Sequence, residues 1–411
     1  MRILYNLIMV IIIILSPVII FYRILKKKEN PKRFLEKFSI SQKKRLNGKL
    51  IWFHCSSVGE LLSVTPLIEK FERETDIKSI LISTSTLSSS KIFEKFKFKK
   101  TIHQFYPIDN PLIINKFLYY WKPTAVFFVE SEIWPEMLRS LKKRKIKTFL
   151  LNARISKNSF YWWKRFKNFG INVFSTFDYI FPQNKETFRY LKYFKVKKMK
   201  ILGNLKFSES ENINTNKSIK ANFLRRKILC AASTHNNEEE LISKIHLDLK
   251  NKIDNLLTVI IPRHVERSKE IIKTLNLKKL NYVCHSENKK IKKDTDVYLV
   301  DTYGESKKFY SLSRVVFLGG SFVPRGGQNP LEPVRHGCYI THGKHIFNFT
   351  EIYNLLKRKR LSFEAKNYSQ LKEIIFKLLI RKFKNKKEIN KFKKVGNNIL
   401  NKYIAAINML I

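Results

Sequence analysis

Hydrophobic and polar positions divide the chain into an apolar leader and two long alternating blocks. Residues 3–22 are nearly all apolar, interrupted by Asn6, Ser16 and Pro17, and are followed by Arg23 and the run Lys26-Lys27-Lys28. About 20 such residues cross a bilayer, and no small-residue cleavage site precedes the basic cluster. Residues 1–25 therefore read as an uncleaved N-terminal membrane anchor, with the basic run holding the following domain on the cytoplasmic side. Pro17 leaves open whether the segment spans the bilayer or dips into one leaflet.

From about Lys49 to Gly203, short β-rich runs at 50–54, 79–83, 102–105, 125–129, 148–151, 179–181 and 200–202 alternate with helical stretches near 60–74, 88–96, 112–121, 135–143 and 185–194. The alternation predicts a parallel sheet with helices on both faces. In such sheets the sites lie beyond the carboxyl ends of the strands. Polar residues gather there: His54-Cys55-Ser56-Ser57-Val58-Gly59-Glu60, then Glu130-Ser131-Glu132-Ile133-Trp134-Pro135, then Asn152-Ala153-Arg154. A single Glu at a helix start most often only complements the dipole. Three polar loops on one edge point to chemistry, with two carboxylates as general base and charge stabiliser.

A polar segment at 208–226 has no apolar period and reads as a linker between a first domain, 26–207, and a second, 227–411. Runs at 228–232, 257–261, 282–284, 297–300, 315–318 and 338–340 repeat the pattern. Ser233-Thr234-His235, Pro262-Arg263-His264 and Asp301-Thr302-Tyr303-Gly304-Glu305 stand where these strands end. The Lys-rich helical stretch from about Gln370 reads as a solvated or membrane-facing surface.

Within this block, VVFLGGSFVPRGGQNPLE (315–332) predicts a strand, a loop built on Gly319, Gly320, Gly326 and Gly327, and a helix start. Asn329 suits the N-cap, Pro330 the first helical position and Glu332 the first turn. Free N–H groups at such an end attract a phosphate or carboxylate. Arg325 and Glu332 suit the phosphate and ribose hydroxyls of a nucleotide; an ordinary strand-to-helix turn is the alternative.

Composition narrows the picture. A chain of 411 residues, 44% hydrophobic and 13% aromatic, has material for about two cores. Its 81 Lys+Arg against 33 Asp+Glu, a net +48, permits nucleic acid, anionic lipid or a phosphorylated substrate as partner. Lys, Asn, Ile and Phe are abundant together, so A+T-rich coding accounts for part of the excess. The 4 cysteines, Cys55, Cys230, Cys284 and Cys338, are scattered, without a C-x-x-C pair or a His at metal spacing. They read as reduced thiols, with no metal site.

Two Rossmann-like domains facing a cleft, behind an N-terminal anchor helix, outline an α/β glycosyltransferase of the GT-B architecture. The motifs HCSSVGE, PIDNP, ESEIWP, NARIS, GNLKF, AASTHNNEEE, IPRH, VDTYGE, GGSFVPRGGQNPLEP and FNFTEI cover nearly all of the chain. In that order they resemble the bacterial 3-deoxy-D-manno-octulosonic acid (Kdo) transferases of lipopolysaccharide biosynthesis. The resemblance implies inverting, metal-independent transfer of Kdo from CMP-Kdo to the lipid A precursor, lipid IVA, at the cytoplasmic face of the inner membrane. It implies no cofactor, and as partners CMP-Kdo, lipid IVA and anionic inner-membrane lipids rather than nucleic acid.

Family roles fall on particular positions. Glu60 matches the proton acceptor, and Glu130 and Lys206 the transition-state stabilisers. Pro262 and Arg263, then Tyr303, Gly304 and Glu305, then Asn329, Pro330, Leu331 and Glu332 match the CMP contacts. Departures are Tyr303 where the family commonly has Met, Gln328 where it commonly has His, and a more polar Val334-Arg335-His336. The aromatic stretch 160–166 suits either a membrane interface or a core. The number of Kdo residues added stays open. Alternatives are a GT-B enzyme using another nucleotide sugar, or a membrane-tethered basic protein that binds polyanions; the strand-end carboxylates count against the latter.

Overall fold

The computed structural model describes residues 2–41, 43–208, 223, 226–381 and 386–411. The chain forms two compact units, one of Met1–Ser210 with Val395–Ile411 and one of Glu211–Lys394. The expected linker, 208–226, lies mostly outside the described residues.

The first unit is built on strands β1 (Lys49–Cys55), β2 (Ile77–Thr84), β3 (Thr101–Phe105), β4 (Ala125–Val129), β5 (Lys147–Ala153) and β6 (Tyr179–Pro182). They pair in parallel in the order β3-β2-β1-β4-β5-β6. Continuous apolar runs such as Ala125–Val129, buried throughout, are what a sheet covered on both faces requires. One face packs Phe53, Phe127 and Phe149 against Leu61, Val64 and Leu67 of the helix Val58–Phe71. The other gathers Trp52, Phe128, Phe117 and Trp121. The strand order reverses between β1 and β4, so the loops leaving these two strands diverge and open a crevice.

The second unit contains β7 (Lys227–Thr234), β8 (Leu256–Pro262), β9 (Tyr282–Cys284), β10 (Val297–Leu299), β11 (Val315–Leu318), β12 (Tyr339–His342) and β13 (Ser362–Glu364). These strands are also parallel, in the order β13-β12-β11-β7-β8-β10-β9, and the reversal falls between β7 and β11. Both sheets are those of an α/β protein of the GT-B kind.

Several expectations are corrected. Residues 200–202 form no strand; Met199 makes a single bridge to Ile180 before Gly203 turns the chain with a positive φ of 110°. Strand β13 has too few apolar residues to show a period, and it forms by pairing with β12 at the sheet edge. Pro17, which left the path of the leader open, lies inside the continuous helix Arg2–Leu25. In the helix Lys157–Arg165 the aromatic stretch divides by face: Phe160 stacks on Tyr190 at 4.1 Å and Trp163 packs on Phe169, while Tyr161 and Trp162 are about half exposed.

The C-terminal helices are also not merely surface. Leu371, Ile375, Leu378 and Leu379 of Tyr368–Ile380 are buried. Ile399, Leu400, Tyr403 and Ile407 of Lys386–Asn408 enter the core of the first unit, and Tyr403 Oη donates to the Gly203 carbonyl at 3.1 Å. Residues 395–411 therefore belong with the first unit, where sequence grouped 227–411 together. An amphipathic stripe reveals that a helix buries one face but not which core receives it.

Gly396 marks the contact. A Cβ there would lie 2.2 Å from the Phe207 carbonyl oxygen. Alanine is intrinsically the better helix former by about 1 kcal/mol, yet Gly396→Ala is expected to destabilise the first unit by about 1–3 kcal/mol. Denaturant unfolding checks this; an increase in stability would mean that helix and turn separate freely.

Candidate active site

The catalytic candidates of the first unit meet at the β1/β4 reversal. Ser57 caps the helix Val58–Phe71, and its hydroxyl accepts from the Glu60 N–H at 3.4 Å and donates to Glu60 Oε1 at 3.1 Å. Glu60 Oε2 accepts from the Ser56 N–H at 2.6 Å. This is a variant of the capping box of Ser-x-x-Glu, in which Glu60 reaches the N–H of Ser56, one residue before the cap. It fixes the carboxylate at the crevice instead of leaving it to sweep through solvent.

Glu130 follows β4 with φ 58°, a left-handed conformation uncommon for a non-glycine residue. Lys206 Nζ lies 2.5 Å from Glu130 Oε1. Asn152, itself at φ 52°, aims its amide at the same oxygen and accepts the Leu205 N–H at 3.0 Å. Asn152 thus ties the turn carrying Lys206 to the strand beside Glu130.

Glu132 was not singled out from sequence. His54 Nε2, on β1, lies 3.0 Å from Glu132 Oε2, and Trp134 Nε1 donates to the same oxygen at 2.9 Å. The His54 ring stacks on Tyr106 with centroids 3.8 Å apart. Burial pushes the Glu132 carboxyl up, but hydrogen bonds from His54 and Trp134 and the nearness of His54 outweigh it and leave it below its ordinary range. Glu60 behaves oppositely. Burial, then the charges of Glu132 and Glu130, push it up to about 7. Glu60 is therefore poised to take a proton near neutrality while Glu132 stays charged.

Folding raises this pKa, so the folded state holds the extra proton. The Glu60 contribution to stability accordingly falls as pH rises from the ordinary carboxylate range to about 7.

In the second unit the structure links the three segments that match the family's CMP contacts. The Tyr303 hydroxyl donates to the Glu266 carboxylate at 3.0 and 3.1 Å, linking the loop after β10 to the turn that follows Pro262 and Arg263. Lys307, one turn beyond Gly304 and Glu305, lies 3.5 Å from Glu332 Oε1. Asn329 Oδ1 accepts the Leu331 N–H at 3.1 Å, but the short helix Leu331–Arg335 starts one residue later than expected, with Pro330 rather than Asn329 in the N-cap position. At Gln328 the carbonyl accepts from the Tyr353 hydroxyl at 3.0 Å, a contact independent of which side chain stands there.

The glycine loop differs from expectation. Glu238 Oε1 accepts the N–H groups of Ser321 and Phe322, each at 3.1 Å. Its Oε2 accepts those of Gly320 and His235, at 2.8 and 3.0 Å. The anion-binding amides of this loop are thus taken by the chain's own buried carboxylate. Gly319 is required by a different constraint, since a Cβ there would lie 2.3 Å from the Ser233 carbonyl oxygen. Cations stand beside the loop. Burial, then Arg325 and His264, lower the pKa of His235, whose buried Nε2 has no hydrogen-bond partner among the described residues. Glu238 lies within the motif AASTHNNEEE, but only the fold shows what that residue holds.

Parallel α/β domains, with carboxylates at the reversal of one sheet and joined loops and cations at that of the other, define a glycosyltransferase of GT-B type. Solved structures share this fold. UDP-GlcNAc 2-epimerase from Neisseria meningitidis aligns with a TM-score of 0.60 at 13% identity, over 88% of this chain and 100% of that one. A glycosyltransferase from Rickettsia africae aligns with a TM-score of 0.55 at 13% identity, over 88% and 98%. The family model for 3-deoxy-D-manno-octulosonic-acid transferase (kdotransferase) matches residues 32–209. The 3-deoxy-D-manno-octulosonic acid transferase of Rickettsia bellii is 32% identical over 398 residues, 95% of each chain. That of Haemophilus influenzae is 34% identical over 317 residues, 74% of this chain and 73% of its own. The chain belongs to the 3-deoxy-D-manno-octulosonic acid transferase family.

Two outcomes are expected from this geometry. The rate constant kcat/KM falls on the acid side of about pH 7, and Glu132→Gln, by removing a nearby negative charge, moves that limb to lower pH; an unmoved limb would separate it from Glu60. Glu238→Ala leaves four amides without their acceptor and destabilises the second unit by about 2–3 kcal/mol, read as a lower melting temperature.

Proposed function

We propose that this enzyme transfers Kdo from CMP-Kdo to a glucosamine hydroxyl of lipid IVA by a single inverting displacement, without a metal or other cofactor. The observation that carries the reading is Glu60, capped in place and poised near neutrality beside the Glu130–Lys206 pair. The acceptor hydroxyl gives its proton to Glu60 as its oxygen attacks the anomeric carbon, and the bond from that carbon to the CMP phosphate breaks with its electrons on the phosphate. Positive charge develops on the sugar, where Glu130 and Glu132 stabilise it. Lys206 pairs with Glu130 and holds it in place, since a buried carboxylate without a partner is costly.

The donor segments 262–263, 303–305 and 329–332 would bind CMP, with Arg263, Arg325 and the unpartnered His235 Nε2 suited to the leaving phosphate. The family membership supports Kdo as the group transferred. The apolar window Tyr5–Leu25 supports an inner-membrane location, with the catalytic units on the cytoplasmic side.

Purified protein incubated with CMP-Kdo and lipid IVA is expected to yield lipid heavier by one or more Kdo units in the mass spectrum. Glu60→Gln should keep the fold, because glutamine also serves a capping box, yet lose about 100- to 10,000-fold in rate with CMP-Kdo binding retained. Loss of donor binding in that variant would remove Glu60 from the role of base. Transfer from UDP-sugars in place of CMP-Kdo would favour the alternative donor.

A further inference from the structure

We propose that the first unit carries a seat for the phosphate of a membrane lipid headgroup, formed by Arg23, Lys27, Lys28 and Lys91 with the hydroxyls of Thr86 and Ser88. The inference rests on the membrane reading of the helix Arg2–Leu25 but not on the identity of the sugar donor.

These residues, with Leu87, line a cavity of about 440 Å³ in which no acidic side chain takes part. The helix closes over it with a defined turn. Lys28 N–H donates to the Arg23 carbonyl at 2.8 Å and Lys27 N–H to the Ile24 carbonyl at 2.9 Å, while Lys27 adopts φ 52°. This is a Schellman closure with lysine where glycine is usual. A non-glycine side chain there is strained, and the side chain so placed is a cation of the cavity. Arg23 is balanced by Glu29 at 3.1 Å. Lys27, Lys28 and Lys91 have no carboxylate within ion-pairing distance among the described residues, so the cavity carries unmatched positive charge of the kind that receives an anion.

Position identifies the anion's source. The Tyr5 hydroxyl donates to Asp109 Oδ2 at 2.5 Å near the start of the helix. At its other end Arg23 holds Glu29, which also binds Lys37, and the Lys37 carbonyl accepts the Ile108 N–H at 2.9 Å. Both ends are thus tied to the segment that follows β3. The helix lies along the unit for about 27 Å at about 1.5 Å per residue, with Ser16 and Ile20 buried. Ile14, Val18, Phe21 and Leu25 are left exposed. Such a helix enters one leaflet sideways rather than crossing both. Its apolar face ends where Lys27 and Lys28 begin, at the depth of the headgroup phosphates.

The test compares the full-length protein with a Lys27→Ala, Lys28→Ala, Lys91→Ala triple variant. The control is Lys95→Ala, Lys192→Ala, Lys197→Ala, which removes equal charge from exposed positions of the same unit. Binding is measured to phosphatidylcholine vesicles doped with phosphatidic acid or, at matched charge, with oleate, and folding is checked by melting temperature. The seat variant is expected to bind phosphatidic acid vesicles on the order of 10- to 100-fold more weakly, with a smaller loss in the control and on oleate. Equal losses in both variants, or on both lipids, would reduce the effect to net charge and overturn the proposal. Displacement by inorganic phosphate but not by chloride at the same ionic strength would make the ligand a free phosphate and overturn the lipid source. Failure of the unaltered protein to bind any vesicle would overturn the membrane reading beneath it.

Discussion

Repulsion among buried carboxylates organises the first unit. Glu60, Glu130 and Glu132 cannot share a partly dry crevice as three free anions, and the structure answers each differently. Lys206 pairs with Glu130, His54 and Trp134 hold Glu132, and Glu60, bonded among the described residues to a serine hydroxyl and one amide, is left to carry the proton. The answers come from β1, the loop after β4, the turn Leu205–Ser208 and the helix cap, so the sheet order that brings β1 beside β4 is a precondition of the chemistry. The left-handed backbone at Glu130 and Asn152 belongs to the same arrangement, since both residues stand where a strand ends and must turn a side chain into the crevice.

The second unit solves the opposite problem. Its glycine loop gathers backbone N–H groups, and an interior carboxylate, Glu238, consumes them. The loop is thereby held rigid, leaving side-chain cations and the joined segments at 262–266, 303–307 and 329–332 to meet a ligand. Preorganisation of this kind reduces the ordering cost of binding.

Much of this was legible in sequence where the signal is local. Apolar runs bounded by polar loops marked most strands, Glu60 stood at a readable helix start, and Asn329-Pro330 announced a helix that begins one residue further on. Less legible were contacts between distant residues. Nothing in Thr234-His235-Asn236-Asn237-Glu238 announces that its last residue will bind a loop that far along the chain. Nor does the amphipathic stripe of the last helix tell which core will receive Tyr403.

The sequence by itself determined the parallel α/β architecture, the apolar leader and the family motifs, because periodicity, capping and turn chemistry act over a few residues. Only the tertiary structure decided which carboxylate titrates, which amides remain for a ligand, and where the first and last helices pack. Those outcomes depend on burial and on distances between residues far apart in the chain, and burial and distance are properties of the folded whole.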